Sequence, residues 1–298
     1  MRGRWWGAAG TLLALGFVLL LLADGATADS EEPHVAEVTR WLPAEGGVMK
    51  RVSLLVDTRV ADPEDAFAAA YPDAGAPAGV TAQFATFAKF APEDLPATLG
   101  YDSTLDPPGI SGEAILALAA GVWNAVPGQS FEFTLDGASA FDTPTCNTNF
   151  GDGVNTVVFS DELFPGVLGE TCSLFSGTVA GMSRIAEVDI HFSTAIPWSD
   201  EPVTPKNAFD LPTVMLHELG HAFGLDHAAH GTVMQPSLNA GEQLRTPTQD
   251  DIDGMRSLYG NGETPAPTGT PTTTPTIPAT PVPTSHLFRN TLGSLARD

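Results

Sequence analysis

Basic residues are scarce in this chain of 298 residues: 13 Lys and Arg stand against 36 Asp and Glu, a formal net charge of −23. A surface that negative repels a phosphate backbone, which argues against nucleic-acid binding and favours the solubility of an exported protein. Cysteine is nearly missing. The only two, Cys146 and Cys172, read as one disulfide in an exported chain, with a pair of free thiols as the alternative. Closing that loop contributes about 3.5 kcal/mol in the chain-entropy account. Long apolar runs are absent after the first two dozen residues. The one run there follows Arg2 and Arg4, centres on Leu12 to Leu22, and ends at Ala26-Thr27-Ala28 before Asp29. That order of charge, apolar stretch and small residues is a secretory signal peptide over 1–28. An uncleaved anchor is the competing reading, because 5–23 carries no charge. Cleavage is favoured, so the mature form is expected to be secreted and to lack a membrane span.

Against these absences stands one dense motif, His217-Glu218-Leu219-Gly220-His221-Ala222-Phe223-Gly224-Leu225-Asp226-His227. Residues four apart on a helix lie on one face, so His217 and His221 can direct ring nitrogens at a single zinc ion about 2.0–2.1 Å away. Glu218 stands one step round the helix, placed to hydrogen-bond a metal-bound water as general base. Gly224 can adopt the left-handed backbone that ends the helix and turns the chain back, bringing His227 in as third ligand. Three protein ligands leave a fourth position open, as a catalytic site requires. Asp210 or Thr213 caps this helix, and Pro212 fits its first turn. A core helix that merely carries histidines leaves the five-residue coincidence unexplained, and a structural zinc needs neither Glu218 nor an open position.

The motif, with Met234 in Gly231-Thr232-Val233-Met234-Gln235-Pro236, resembles the metzincin zinc peptidases, which carry a methionine turn beneath the metal. Pro236 stands where astacin-like and serralysin-like members have tyrosine, so the chain is most similar to the matrixins, the matrix-metalloprotease family. Residues 248–260 look like the closing helix of that family, with Ile252, Met255, Leu258 and Tyr259 at helical spacing and the acids Asp250 and Asp251 in its first turn. Upstream, Ser111 caps a helix to about residue 126, with Ile115, Leu118, Val122 and Val126 on one face. Residues 131–135, 155–159, 178–182 and 188–192 read as short strands. The resemblance spans roughly 80–260. It implies an α+β, zincin-like (metzincin) catalytic domain: a twisted mixed β-sheet, a long backing helix, a zinc-binding active-site helix and a C-terminal closing helix. It further implies catalytic zinc on His217, His221 and His227, Glu218 as base and acid, Met234 as floor, and a protein or peptide substrate. Specificity is expected in the wall between about 236 and 248.

Matrixins commonly bind calcium, for which Asp152, Asn155 and Asp161 are the candidate ligands, with a plain turn as the alternative. Asp189 and His191 resemble the strand that carries structural metal ligands in vertebrate members, but the companion His-rich loop is missing and no second zinc is expected. His230 reads as a bystander. No cysteine precedes residue 146, which excludes the propeptide thiolate that holds matrixins latent. If residues 29–78 are a propeptide, they inhibit in another way; a small subdomain or disordered sequence are the alternatives, with one strand expected at 51–56. The catalytic domain is expected over 79–260, followed by a linker and tail over 261–298. Seven prolines and nine threonines crowd 264–284, which favours an extended spacer and suits attachment near a cell surface. Two other functions stay open from sequence: an adhesion module that keeps a metzincin shell, and a zinc hydrolase of non-peptide amides. An intact Glu218 speaks against the first.

Overall fold

The structure, a computed structural model, describes residues 34–44, 49–72, 85–138, 145–146 and 151–260. The expected signal peptide, the Thr/Pro-rich linker and the tail lie outside the described residues, as does the expected domain boundary at 78/79. Strands β1 (Val35–Pro43) and β2 (Met49–Asp57) come first, then helix α1 (Pro63–Ala70). Short β3 (Ala85–Thr86) and β4 (Ala88–Lys89) lead to β5 (Ala97–Asp102) and the long helix α2 (Gly112–Asn124). Next are β6 (Phe133–Ala138), β7 (Asn155–Ser160), β8 (Val167–Val179) and β9 (Met182–Ser193). After β10 (Trp198–Ser199) and β11 (Phe209–Asp210) comes helix α3 (Leu211–Ala222). The domain ends with β12 (Leu225–Asp226), β13 (Ser237–Leu238) and helix α4 (Gln249–Tyr259).

One mixed sheet runs in the order β13-β1-β2-β8-β9-β7-β5-β6, with β4 also pairing β9. Strands β9, β7, β5 and β6 are parallel neighbours, whereas β8, β2, β1 and β13 add antiparallel. The central strand β9 is buried without a break from Val188 to Ser193, as a strand covered on both faces must be. Residues 178–182 form no separate strand, contrary to expectation. Ala180 and Gly181 both take positive φ, 51° and 82°, which reverses the chain in two residues and makes this span the tip of the β8–β9 hairpin.

Ser111 caps α2 by accepting the Ala114 N–H at 3.3 Å. The buried face of α2 differs from the expected stripe, since Leu118 is 38% exposed while Leu116, Ala119 and Trp123 are buried. Trp123 sets this rotation: its indole N–H donates to the Leu216 carbonyl at 2.9 Å, turning the helix towards α3. Trp123 and Phe131 both pack on Phe223, with ring centroids 4.8 and 5.4 Å away. These rings anchor the main core between the sheet and α2, α3 and α4. A second core lies on the other face of the β1–β2 hairpin. There Val38, Val52, Leu54 and Val56 meet Phe67 and Tyr71, beside the Cys146–Cys172 disulfide. Among the described residues no helix is long and apolar enough to cross a membrane.

Candidate metal centre

Asp210 starts α3: its carboxylate accepts the Thr213 N–H at 3.0 Å and the Thr213 hydroxyl at 2.6 Å, and it pairs with Arg245. All twelve residues of α3 are buried, so this helix is held by tertiary packing rather than by amphipathic contrast. His217 and His221 lie one turn apart on it. The Nδ1 of His217 is 2.7 Å from the Val233 carbonyl, and the Nδ1 of His221 is 2.8 Å from the Leu225 carbonyl. A carbonyl only accepts, so each Nδ1 carries a proton and Nε2 is the ring nitrogen left to face another partner. Gly224 follows with φ 112°, and a Cβ there would collide with the Ala88 carbonyl. That turn brings His227 back, its N–H donating to the Asp226 carboxylate at 2.9 Å. Ring centroids of the three imidazoles are 4.7, 5.1 and 6.0 Å apart.

The three Nε2 atoms converge on one group, the carboxylate of Glu37 in β1. It lies 2.8 Å from His217, 3.0 Å from His221 and in close contact with His227. The Glu37 side chain is fully buried. Burial alone would raise its pKa, but the charges of His227 and His221 and hydrogen bonds from His217 and His221 hold it well below the usual carboxylate range. His217 is driven the other way: burial opposes its charge, yet the hydrogen bond and charge of Glu37 push it up to about 9. Burial dominates at His221 and pushes it down to about 4, with Glu37 opposing. Three imidazole nitrogens and a carboxylate pointing at one spot form a donor set that could hold a cation. All four groups offer ligand atoms within 4.8 Å of one another, and nitrogen and oxygen donors of this kind suit zinc.

Glu218 lies beside this cluster, buried, and its carboxylate accepts the Thr171 hydroxyl of β8. Burial pushes it up to about 7, with His217 opposing and Glu37 adding to the rise. Met234 is buried against Gly220, where a Cβ would collide with its sulfur. Asp251 of α4 accepts the Val233 and Met234 N–H groups at 3.1 and 3.2 Å and so ties the turn down. An apolar pocket beside His217 is lined by Val214, Val233, Leu238 and Leu244, with Leu55 of β2 at its wall. Ser237, Leu238 and Leu244 come from the 236–248 segment in which specificity is expected.

Cys146 and Cys172 are bonded to each other. Glu170 beside them accepts the Cys146 N–H and the Tyr71 hydroxyl, each at 2.7 Å, and faces His191 at 3.3 Å. The candidate calcium ligands are spread out. Asp152 accepts the Val154 N–H, and Asn155 accepts the Val188 N–H at the start of β7. Asp161 follows the far end of β7. At roughly 3.3 Å of rise per residue a six-residue strand separates its ends by well over the span of one ion's ligands. Asp189 accepts the Thr156 N–H at 3.0 Å.

Sequence reasoning missed Glu37, Thr171 and Arg51. Arg51 is buried, donates to Asp226 at 2.7 Å next to His227, and lies over the Phe87 ring at 4.2 Å. The β-branched and aromatic residues Val35, Val38, Thr39 and Trp41 were the available signal for a strand. Nothing local marks its glutamate for a histidine 180 residues away.

The matrixin family profile matches residues 169–260, from within β8 through the end of α4. Similar proteins include Metalloendoproteinase 2-MMP of Arabidopsis thaliana, 30% identical over 169 residues, which are 53% of this chain and 41% of that protein. Metalloendoproteinase 1 of Glycine max is 47% identical over 60 residues, 20% of this chain and 19% of that protein. Stromelysin-1 of Rattus norvegicus is 36% identical over 107 residues, 35% of this chain and 20% of that protein. The chain thus spans at most 41% of the length of these three relatives. The β1–β2 hairpin that supplies Glu37 lies outside the profile match. By its motif, its mixed sheet and these matches, the chain is matrixin-like, with an α+β metzincin-type domain.

Proposed function

We propose that this chain is a secreted, zinc-dependent endopeptidase. The observation that carries the reading is the convergence of three Nε2 atoms, two of them on rings whose Nδ1 meets a backbone carbonyl. His217, His221 and His227 hold the metal, and Met234 forms the floor beneath them. Zinc, when bound, supplies a Lewis acid that polarises a carbonyl and lowers the pKa of a ligated water towards about 7. Glu218 takes up the proton at its carboxylate and delivers it to the departing amine, a task that suits a buried carboxyl next to His217 on the same helix. Thr171 orients that carboxylate through its hydroxyl. Leu238, Leu244 and Val214 accept an apolar side chain of the peptide next to the bond that is cut. Residues 1–28 direct export, and 261–298 is a spacer and tail that suits a position near a cell surface.

The test is cleavage of a fluorogenic peptide set with and without a zinc chelator. It is run on the full chain and on its Glu37→Ala form, because Glu37 sits in the site. Glu218→Ala, placed in whichever form cleaves, is expected to keep one zinc per chain and to lose about 10²–10⁴-fold in turnover. Zinc-loaded chains of both forms that cleave no peptide would overturn the reading.

A further inference from the structure

The β1–β2 hairpin presents two different faces. On the outer face its aliphatic residues pack on α1 in the second core. The inner face points into the cleft, and there the register sets Glu37 directly opposite Leu55. Glu37 reaches the three histidines while its cross-strand partner Leu55 stands at the wall of the adjoining apolar pocket. A carboxylate at the metal position beside an apolar side chain that walls the next pocket is the kind of contact a bound peptide would make. The flanking strands are occupied as well. Strand β2 pairs with β8 from Lys50↔Leu174 to Val56↔Val167, and β1 pairs with β13 at Val35↔Leu238. An extended peptide therefore finds no free edge on β8 beside Glu218 and no open position among the histidines.

We propose that Glu37 is the fourth ligand of the metal, and that the 35–57 hairpin closes the site from within the chain. This rests on the zinc reading given above. Three histidines and one carboxylate would supply four protein ligands and leave no position for water, which is the property of a closed rather than a catalytic centre. The closure needs no thiol, in keeping with a segment that has no cysteine before residue 146. Arg51 locks the hairpin to the loop that carries His227 through its pairing with Asp226. Departure of the hairpin would free the metal position, the pocket wall and the β8 edge together.

The experiment loads the full chain and its Glu37→Gln and Glu37→Ala forms with cobalt for spectroscopy and with zinc for kinetics. Acetohydroxamate serves as a small probe of an open metal position. Both substitutions are expected to shift the cobalt visible bands, admit acetohydroxamate where the wild-type chain does not, and speed zinc loss to a chelator. Peptide cleavage is expected to rise about tenfold or more, since a site blocked in most molecules loses apparent affinity in proportion. Identical cobalt spectra and equal acetohydroxamate binding in all three forms would overturn the proposal and leave the protease reading intact. Variants that open to acetohydroxamate yet cleave no peptide would support Glu37 as ligand and overturn the protease reading instead. Failure of every form to take up metal would overturn both. Should the variants fail to fold, wild-type protein alone decides. Tight acetohydroxamate binding to its metal overturns the closed site, and its exclusion from a fully loaded metal supports it.

Discussion

Asp189 is a carboxyl group with two reasons to keep its proton. Burial in the middle of the sheet comes first and the neighbouring Glu187 second, and together they push it up to about 8. An unfolded aspartate titrates near 3.9. Between those values the folded chain therefore holds a proton that the unfolded chain has released, and stability falls as pH rises. The contribution is fully present below about pH 4 and is lost as pH climbs through about 8. Asp189→Asn keeps an oxygen for the Thr156 N–H and removes the charge. It is expected to match the wild-type chain near pH 4 and to exceed it in stability at pH 8. Urea midpoints at the two pH values check this, and parallel pH profiles for the two proteins would refute it. Residues of this kind are poorly legible in a sequence, because burial depends on what covers β9. The three histidines, Glu218 and Met234 were legible because helical periodicity and one glycine turn fix their relative positions within a short stretch. Glu37 obeys no such local rule.

Elements divide in the same way. Helices α2, α3 and α4 announce themselves by caps and periodic apolar residues, and Ser111, Asp210 and Thr248 do cap them. Asp251 belongs to a capping box with Thr248 and also holds the methionine turn. One carboxylate thus joins the start of α4 to the turn that carries Val233 and Met234. Asp251→Ala would leave the Val233 and Met234 N–H groups buried without acceptors, at a cost of about 3 kcal/mol. It should also loosen the seat of His217, which bonds to the Val233 carbonyl. Asp251→Asn retains one acceptor and should cost less. Chemical denaturation together with a zinc-affinity titration checks both effects; an alanine variant with unchanged stability would sink the account. Helix α1 and strand β1 were not read from sequence. Helix α1 is an eight-residue helix whose stability comes from packing on the hairpin, and β1 gains its meaning from partners on both sides.

The described residues from 34 onward form one compact unit in which the hairpin is shared by two cores. Its inner face brings Glu37 to the three histidines, and its outer face builds the second core against α1 and the disulfide. Stability of that outer core should therefore be felt at the site. Cys146 and Cys172 are 26 residues apart, so their bond contributes about 3.5 kcal/mol through the unfolded chain. For a domain of this size about 2–4 °C accompanies each kcal/mol, and reduction or a Cys146→Ser/Cys172→Ser pair should lower Tm by roughly 7–14 °C. Calorimetry with and without reductant measures the shift, and an unchanged Tm would mean that the bond contributes no stability. The number of transitions carries the structural information. Because β2 and β8 pair along seven residue positions, from Lys50↔Leu174 to Val56↔Val167, the outer core is expected to melt with the rest in a single peak that moves as a whole. A reduced chain that instead shows a separate low-temperature transition would identify the hairpin and α1 as a unit that opens ahead of the main core.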